Sequence, residues 1–136
     1  MQCTSSTLVS LPTWLRVKRG YLKPLAEGVT LDLAVYEVLN AVWKEHYILR
    51  HLNEETVGEL LGILGRVFEV ITLASIRGEE VRVFELAVKE GLTIYDAAYL
   101  YYAFKNKLVL VTDDKKLGEK AEQYLETVST RELMQK

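Results

Sequence analysis

Residues 93–117, TIYDAAYLYYAFKNKLVLVTDDKKL, decide how the rest of the chain is read. They spell a helix, a tight turn, a short apolar strand and the start of a second helix. A carboxylate stands at each helix beginning: Asp96 in the first turn after Thr93, and Asp113 and Asp114 directly after LVLVT. In a parallel sheet, ligands collect beyond the carboxyl ends of the strands, where helix N-termini also gather. The acids therefore fall where chemistry is usually done.

Outward from that stretch, strands and helices alternate. Upstream, VTL at 29–31 reads as a short strand and Asp32 as the N-cap of the next helix. Val35, Val38, Leu39, Val42, Trp43 and His46 recur at helical spacing, which predicts a helix to about Leu49. Asn53 caps another, opened by Glu54 and Glu55 and carrying Leu60, Ile63, Leu64 and Val67 on one side. Gly58, Gly62 and Gly65 weaken that helix or permit close packing. VITL at 70–73 is a further strand, and 78–91 a helix with a glycine stop. Downstream, 114–124 continues as an amphipathic helix and LETVST adds an edge strand. Near the start, Ser5 or Ser6 caps a short helix through TLVSL that Pro12 interrupts. Short connections between alternating strands and helices imply a parallel, right-handed α/β sandwich. No repeat or linker divides it, so residues 1–136 read as one domain.

Composition narrows the class. With 49% hydrophobic and 26% charged residues, the chain has enough apolar surface for a folded core and is not a disordered segment. No apolar run approaches the length of a membrane span and no leader pattern opens the chain, so a membrane role is excluded from the expectation. Cys3 stands alone, which rules out an internal disulfide and fits a cytoplasmic setting. A net charge of −2 argues against histone-like binding of nucleic acid but leaves room for a local basic patch. WLRVKR at 14–19 is such a patch, read either as a solvated helix face or as phosphate-contacting residues beside a stacking ring.

Each acid has a plain structural reading beside the chemical one. Thr93 and Asp96 resemble a capping box, and Asp113 or Asp114 after a strand commonly caps the next helix. Glu37 is harder to dismiss, because it lies early in a strongly apolar helix. Three strand-to-helix junctions thus carry a carboxylate, and a parallel sheet can bring such junctions to one edge. Clustered carboxylates repel and raise a pKa unless a cation neutralises them. Hard oxygen donors with open water positions suit Mg²⁺ or Mn²⁺. Such a site activates water and steadies the developing charge of a phosphodiester. The remaining candidates are weaker. His46 and His51 are five apart, off any shared helical face, and no zinc-type spacing occurs. Tyr95, Tyr99 and Tyr102 form a helical stripe suited to core or dimer packing, and less well to stacking on RNA.

Three blocks carry a resemblance. LDLAVYEVLNAVWK, LTIYDAAYLYYA and VTDDKKL resemble, in that order, three motifs of PIN-domain ribonucleases, and in particular VapC-type toxins of VapBC pairs. The resemblance implies a three-layer α/β/α fold with a short central parallel sheet. It implies Glu37, Asp96 and Asp114 as catalytic acids and metal ligands, with Asp113 on the variable position of T-x-D and able to assist. Asn40, Thr112 and Thr4 become supporting residues, Asn40 orienting the Glu37 carboxylate. The implied activity is an Mg²⁺- or Mn²⁺-dependent endoribonuclease, held inactive by a VapB-type antitoxin and forming a homodimer.

The chain departs from the family in one place. The family opens with an apolar strand ending in Asp, then x-Ser and a helix. Here the matching run is TSSTLV, with Thr4 in place of the aspartate and only Met1, Gln2 and Cys3 left for the strand. A hydroxyl is a poorer ligand than a carboxylate, so metal affinity should fall. Three explanations stay open: a degenerate nuclease, retained as an RNA- or antitoxin-binding module; a misplaced start or altered N-terminus; or a site that works with the remaining acids.

Overall fold

The computed structural model describes residues 7–9, 28–129 and 131–132. Five short strands form one parallel sheet: β1 (Thr7–Val9), β2 (Val29–Leu31), β3 (Thr72–Ala74), β4 (Val109–Val111) and β5 (Thr127–Val128). Their order is β3-β2-β1-β4-β5. Between them run α1 (Leu33–Trp43), α2 (Glu54–Val70), α3 (Glu80–Glu90), α4 (Ile94–Lys105) and α5 (Lys115–Ala121). A π-helical turn, Lys44–Ile48, prolongs α1 and brings the rings of Trp43 and Tyr47 into a stack 5.5 Å apart.

Strand residues alternate between faces, and that alternation divides the core in two. Leu31 and Leu110 join Val83, Ala87, Leu100 and Leu117 on the face covered by α3, α4 and α5. Val111 and Val128 join Val38, Val42, Leu64 and Val67 on the face covered by α1 and α2. Helices on both faces of a short parallel sheet make three layers. Helix α4 is the most enclosed, with Ala97, Ala98, Tyr99, Leu100 and Ala103 all buried. The tyrosine stripe is thereby split: Tyr99 is core, Tyr102 half-buried and Tyr95 exposed. On this helix Ile94, Tyr95 and Phe104 remain exposed. The large apolar side chains left in solvent include Tyr36, Leu39 and Trp43 of α1 and Val81, Phe84 and Val88 of α3.

Local signals set most boundaries. The Asn53 side chain accepts a hydrogen bond from the Thr56 amide at 2.8 Å, and Thr93 does the same for Asp96 at 3.2 Å. Gly91 ends α3 at φ 67°. A Cβ there would meet no neighbour within 4 Å, so only the left-handed backbone opposes a side chain. Gly91→Ala is expected to cost about 1–2 kcal/mol for that conformation. A methyl group at Gly65 of α2 would also meet no neighbour within 4 Å, but the backbone there is ordinary helix. Gly65→Ala is expected to gain about 1 kcal/mol. Opposite shifts in denaturant midpoint are the readout; a shared sign contradicts the backbone argument. Nor does close packing explain Gly58 or Gly65, since a Cβ added at either position would meet no neighbour within 4 Å.

Four expectations need correction. The helix expected through TLVSL gives way to strand: Thr7–Val9 is β1, in the middle of the sheet, while Met1–Cys3 lies outside the described residues. Parallel pairing of Thr7, Leu8 and Val9 with Val109, Leu110 and Val111, and of Leu8 with Val29, outweighs a local cap. Asp32 occupies the N-cap position of α1 yet makes no side-chain capping bond; its backbone is already helical and its amide bonds the Ala74 carbonyl. Strand β3 begins at Thr72 rather than 70, and α5 ends at Ala121 rather than 124. Thr4 and the basic run 14–19 lie outside the described residues.

Candidate active site

The carboxyl edge of the sheet collects the acids. Strands β1 and β4 end level with each other, Val9 beside Val111. From β4 the chain passes through buried Thr112 and half-buried Asp113 to Asp114. The Thr112 hydroxyl accepts the Asp114 amide at 3.1 Å, and Asp114 Oδ1 accepts the Leu117 amide at 2.9 Å. Asp114 is therefore the N-cap of α5. From the neighbouring β2, the chain turns directly into α1, whose second turn carries Glu37. Asp96 reaches the same edge from the first turn of α4.

Electrostatics ties these three acids into a row with Asp96 in the middle. Partial burial raises the Asp96 pKa, and the Asp114 charge raises it further; the Thr93 hydroxyl and Lys116 oppose the shift. Burial likewise raises the Glu37 pKa, the Asp96 charge adds to it, and a hydrogen bond from Tyr99 works against it. Residues 37 and 96, and residues 96 and 114, distant along the chain, thus come near enough in pairs for one charge to act on the other. Among the described residues, however, no three His, Cys, Asp or Glu side chains stand close enough to enclose one metal ion. The arrangement is two adjoining pairs, Glu37 with Asp96 and Asp96 with Asp114. Its donor chemistry fits a divalent cation: hard carboxylate oxygens, disfavoured as anions by burial and mutual repulsion, gain from a positive charge between them.

The remaining predicted residues surround this row. Asp113 and Asp114 border a polar cleft of about 470 Å³ together with Glu119, Glu122 and Glu132, which neither Glu37 nor Asp96 lines. Asn40 is exposed one turn beyond Glu37, and the hydrogen bond on the Glu37 carboxylate comes from Tyr99. Sequence reasoning misses Tyr99 and Lys116 as site residues. In the sequence Tyr99 reads as packing, and Lys116 as one more charge on a basic helix. The histidines are satisfied elsewhere, His46 Nδ1 on the Leu52 carbonyl at 2.7 Å and His51 on Glu45 at 2.8 Å.

The raised Asp96 pKa predicts a pH-dependent stability difference. Below the unfolded value of about 3.9, the wild type is protonated in both states and should match Asp96→Asn. As pH rises through the higher folded value, the buried charge costs the wild type stability that asparagine keeps. Metal-free Asp96→Asn should therefore melt higher than wild type near neutral pH, with the gap closing on acidification. A variant less stable at neutral pH would show that the Asp96 charge mainly favours the N-terminus of α4.

No family model matches the chain. Over 91 residues, 67% of this chain and 69% of the relative, it is 41% identical to Ribonuclease VapC3 of Pyrobaculum aerophilum. The chain belongs to the VapC family. A second VapC relative from the same organism, Exonuclease VapC9, is 37% identical over 97 residues, 71% of this chain and 69% of that protein. The crystal structure of PAE2754 from Pyrobaculum aerophilum matches with a TM-score of 0.79 at 27% identity, covering 95% of this chain and 93% of that one. These matches agree with the three-layer α/β/α arrangement of a PIN-domain protein built from the sheet and its two cores.

Proposed function

We propose that this VapC-family protein is the toxin of a toxin–antitoxin pair, a metal-dependent endoribonuclease that hydrolyses RNA phosphodiesters in the cytoplasm. The observation that carries this reading is the Glu37–Asp96–Asp114 row at the carboxyl edge of the sheet, where burial and adjacent charge raise two of the three pKa values. The names of the two relatives, a ribonuclease and an exonuclease, support nuclease chemistry.

Glu37, Asp96 and Asp114 would hold Mg²⁺ or Mn²⁺, with Asp113 beside them. When bound, such an ion lowers the pKa of water and steadies charge on a phosphoryl oxygen. The chain's own contribution is positional. Thr112 and the N-terminus of α5 hold Asp114, Thr93 holds the Asp96 end of α4, and Lys116 brings a positive charge beside Asp96, where an RNA phosphate would sit. A VapB-type antitoxin and a second copy of the chain are the expected protein partners. Exposed Tyr36, Leu39 and Trp43 on α1, and Val81, Phe84 and Val88 on α3, support protein contacts.

The test is cleavage of a circular RNA with Mg²⁺ or Mn²⁺, since only an internal cut opens a circle, with Asp96→Asn as the control. Equal cleavage by both proteins rejects the assignment; trimming of linear RNA with the circle intact makes the protein an exonuclease instead. A second reading, a catalytically degenerate module that binds RNA or antitoxin, is favoured by two observations. The motif TSSTLV carries no acid at its start, and no three described acids enclose an ion. RNA binding without cleavage by the wild type would select it.

A further inference from the structure

The Glu37 carboxylate does not stand alone at the sheet edge. The Tyr99 hydroxyl donates a hydrogen bond to Glu37 Oε1 at 3.3 Å, between side chains 62 residues apart in sequence. Tyr99 is 2% exposed and Thr30 fully buried. On its other side the Tyr99 oxygen hydrogen-bonds with the Thr30 hydroxyl of β2. Three elements are thereby tied by one chain of hydroxyls: β2 through Thr30, α4 through Tyr99 and α1 through Glu37.

This line of polar groups is unusual for its surroundings. Tyr99 belongs to the apolar cluster that includes Leu31, Leu100 and Leu110. A phenylalanine would fill the same space without introducing a polar atom that must be satisfied. Burial, followed by the charge of Glu37, keeps the phenol strongly on the protonated side, so it acts as a donor to the carboxylate. The 3.3 Å separation is long for such a bond, as is common for site hydrogen bonds without substrate, which tighten when the reacting groups assemble.

We infer that Tyr99, anchored by Thr30, is a positioning residue that fixes the orientation of the Glu37 carboxylate at the sheet edge. The inference rests on the nuclease reading for its purpose, but not for its geometry. A carboxylate on a helix flank can rotate about three torsions. A buried donor on one oxygen selects one of those orientations and leaves the other oxygen directed away from the phenol. Outer partners of this kind are worth about 10–100-fold in metal affinity or activity.

Tyr99→Phe deletes only the hydroxyl, and Thr30→Val deletes the anchor with little change of shape. Two measurements are made on each full-length variant. The first is carbon-13 relaxation of the Glu37 side chain without metal. The second is the affinity for Mn²⁺ alone. Both variants should make the Glu37 side chain more mobile, and Tyr99→Phe should weaken Mn²⁺ binding by about 10–100-fold. Tyr102→Phe, on the same helix, should change neither quantity. If Tyr99→Phe fails to fold, Thr30→Val decides the matter by the same two readouts. Unchanged Glu37 mobility in the folded variants overturns the inference, even if the wild type cuts RNA. A wild type that neither binds Mn²⁺ nor cuts RNA defeats the nuclease reading instead, while the relaxation measurement still judges the role of Tyr99.

Discussion

Asp96→Asn is expected to lower RNA cleavage by about 10²–10⁴-fold, the usual contribution of one positioned proton-transferring or charge-bearing side chain. Asp96 sits between the other two acids: its charge reaches Glu37, and Asp114's charge reaches it. Asparagine keeps the shape and leaves the helix cap intact, because the bond that caps α4 uses the backbone amide of residue 96 and the Thr93 hydroxyl. The substitution removes charge alone. Activity and metal-free stability should therefore move in opposite directions at neutral pH: cleavage falls while the melting temperature rises. An Asp96 charge that mainly favours the N-terminus of α4 predicts the reverse pairing, with stability lost and cleavage kept. Measuring both quantities on one preparation separates the two. An Asp96→Asn protein that cuts RNA as fast as wild type removes the central residue of the proposed site.

Leu110→Ala is expected to destabilise the fold by about 2–5 kcal/mol, the range for emptying a fully enclosed leucine position. Leu110 is 0% exposed in β4 and pairs with Leu8 of the central strand β1. Total stability of such a domain is about 5–15 kcal/mol, so this single cavity removes a large fraction of it. Two residues later the chain reaches Thr112, whose hydroxyl holds the Asp114 amide. The cavity should consequently loosen the acid-bearing turn as well as the core. The check is the denaturant midpoint together with cleavage at a temperature where the variant is still folded. A cost under about 1 kcal/mol would show that the α3–α5 side of the core can collapse around position 110.

These two substitutions mark different kinds of legibility. Asp96 is readable in the sequence because its setting is local. Thr93, three residues upstream, announces the helix start, and the apolar run at 109–111 announces the strand to which the next acid is attached. The same holds for the Asn53 cap and the Gly91 stop, each confined to one helix end. Strand β1 escapes a sequence reading for the converse reason. Three residues carry too little pattern to reveal a strand, and Thr7–Val9 acquires its conformation from β2 and β4, which arrive much later in the chain. The tyrosine stripe misleads because helical spacing shows which residues share a face but not what covers it. Packing around α4 buries Tyr99 and leaves Tyr95 outside.

The acids show the division most clearly. In the sequence, Asp114 poses a choice between capping a helix and joining a charged site. In the folded protein one oxygen caps Leu117 while the charge bears on Asp96, so the capping bond does not exclude electrostatic coupling. What the amino-acid order determined by itself is the alternation of strands and helices, the caps and the carboxylates at their junctions, because each depends on residues within a few positions. Only the tertiary structure decided the sheet order, the row formed by residues 37, 96 and 114 and the hydroxyl chain behind Glu37. Those depend on side chains brought together by burial from distant parts of the polypeptide, and no local pattern encodes which distant partner a buried group will meet.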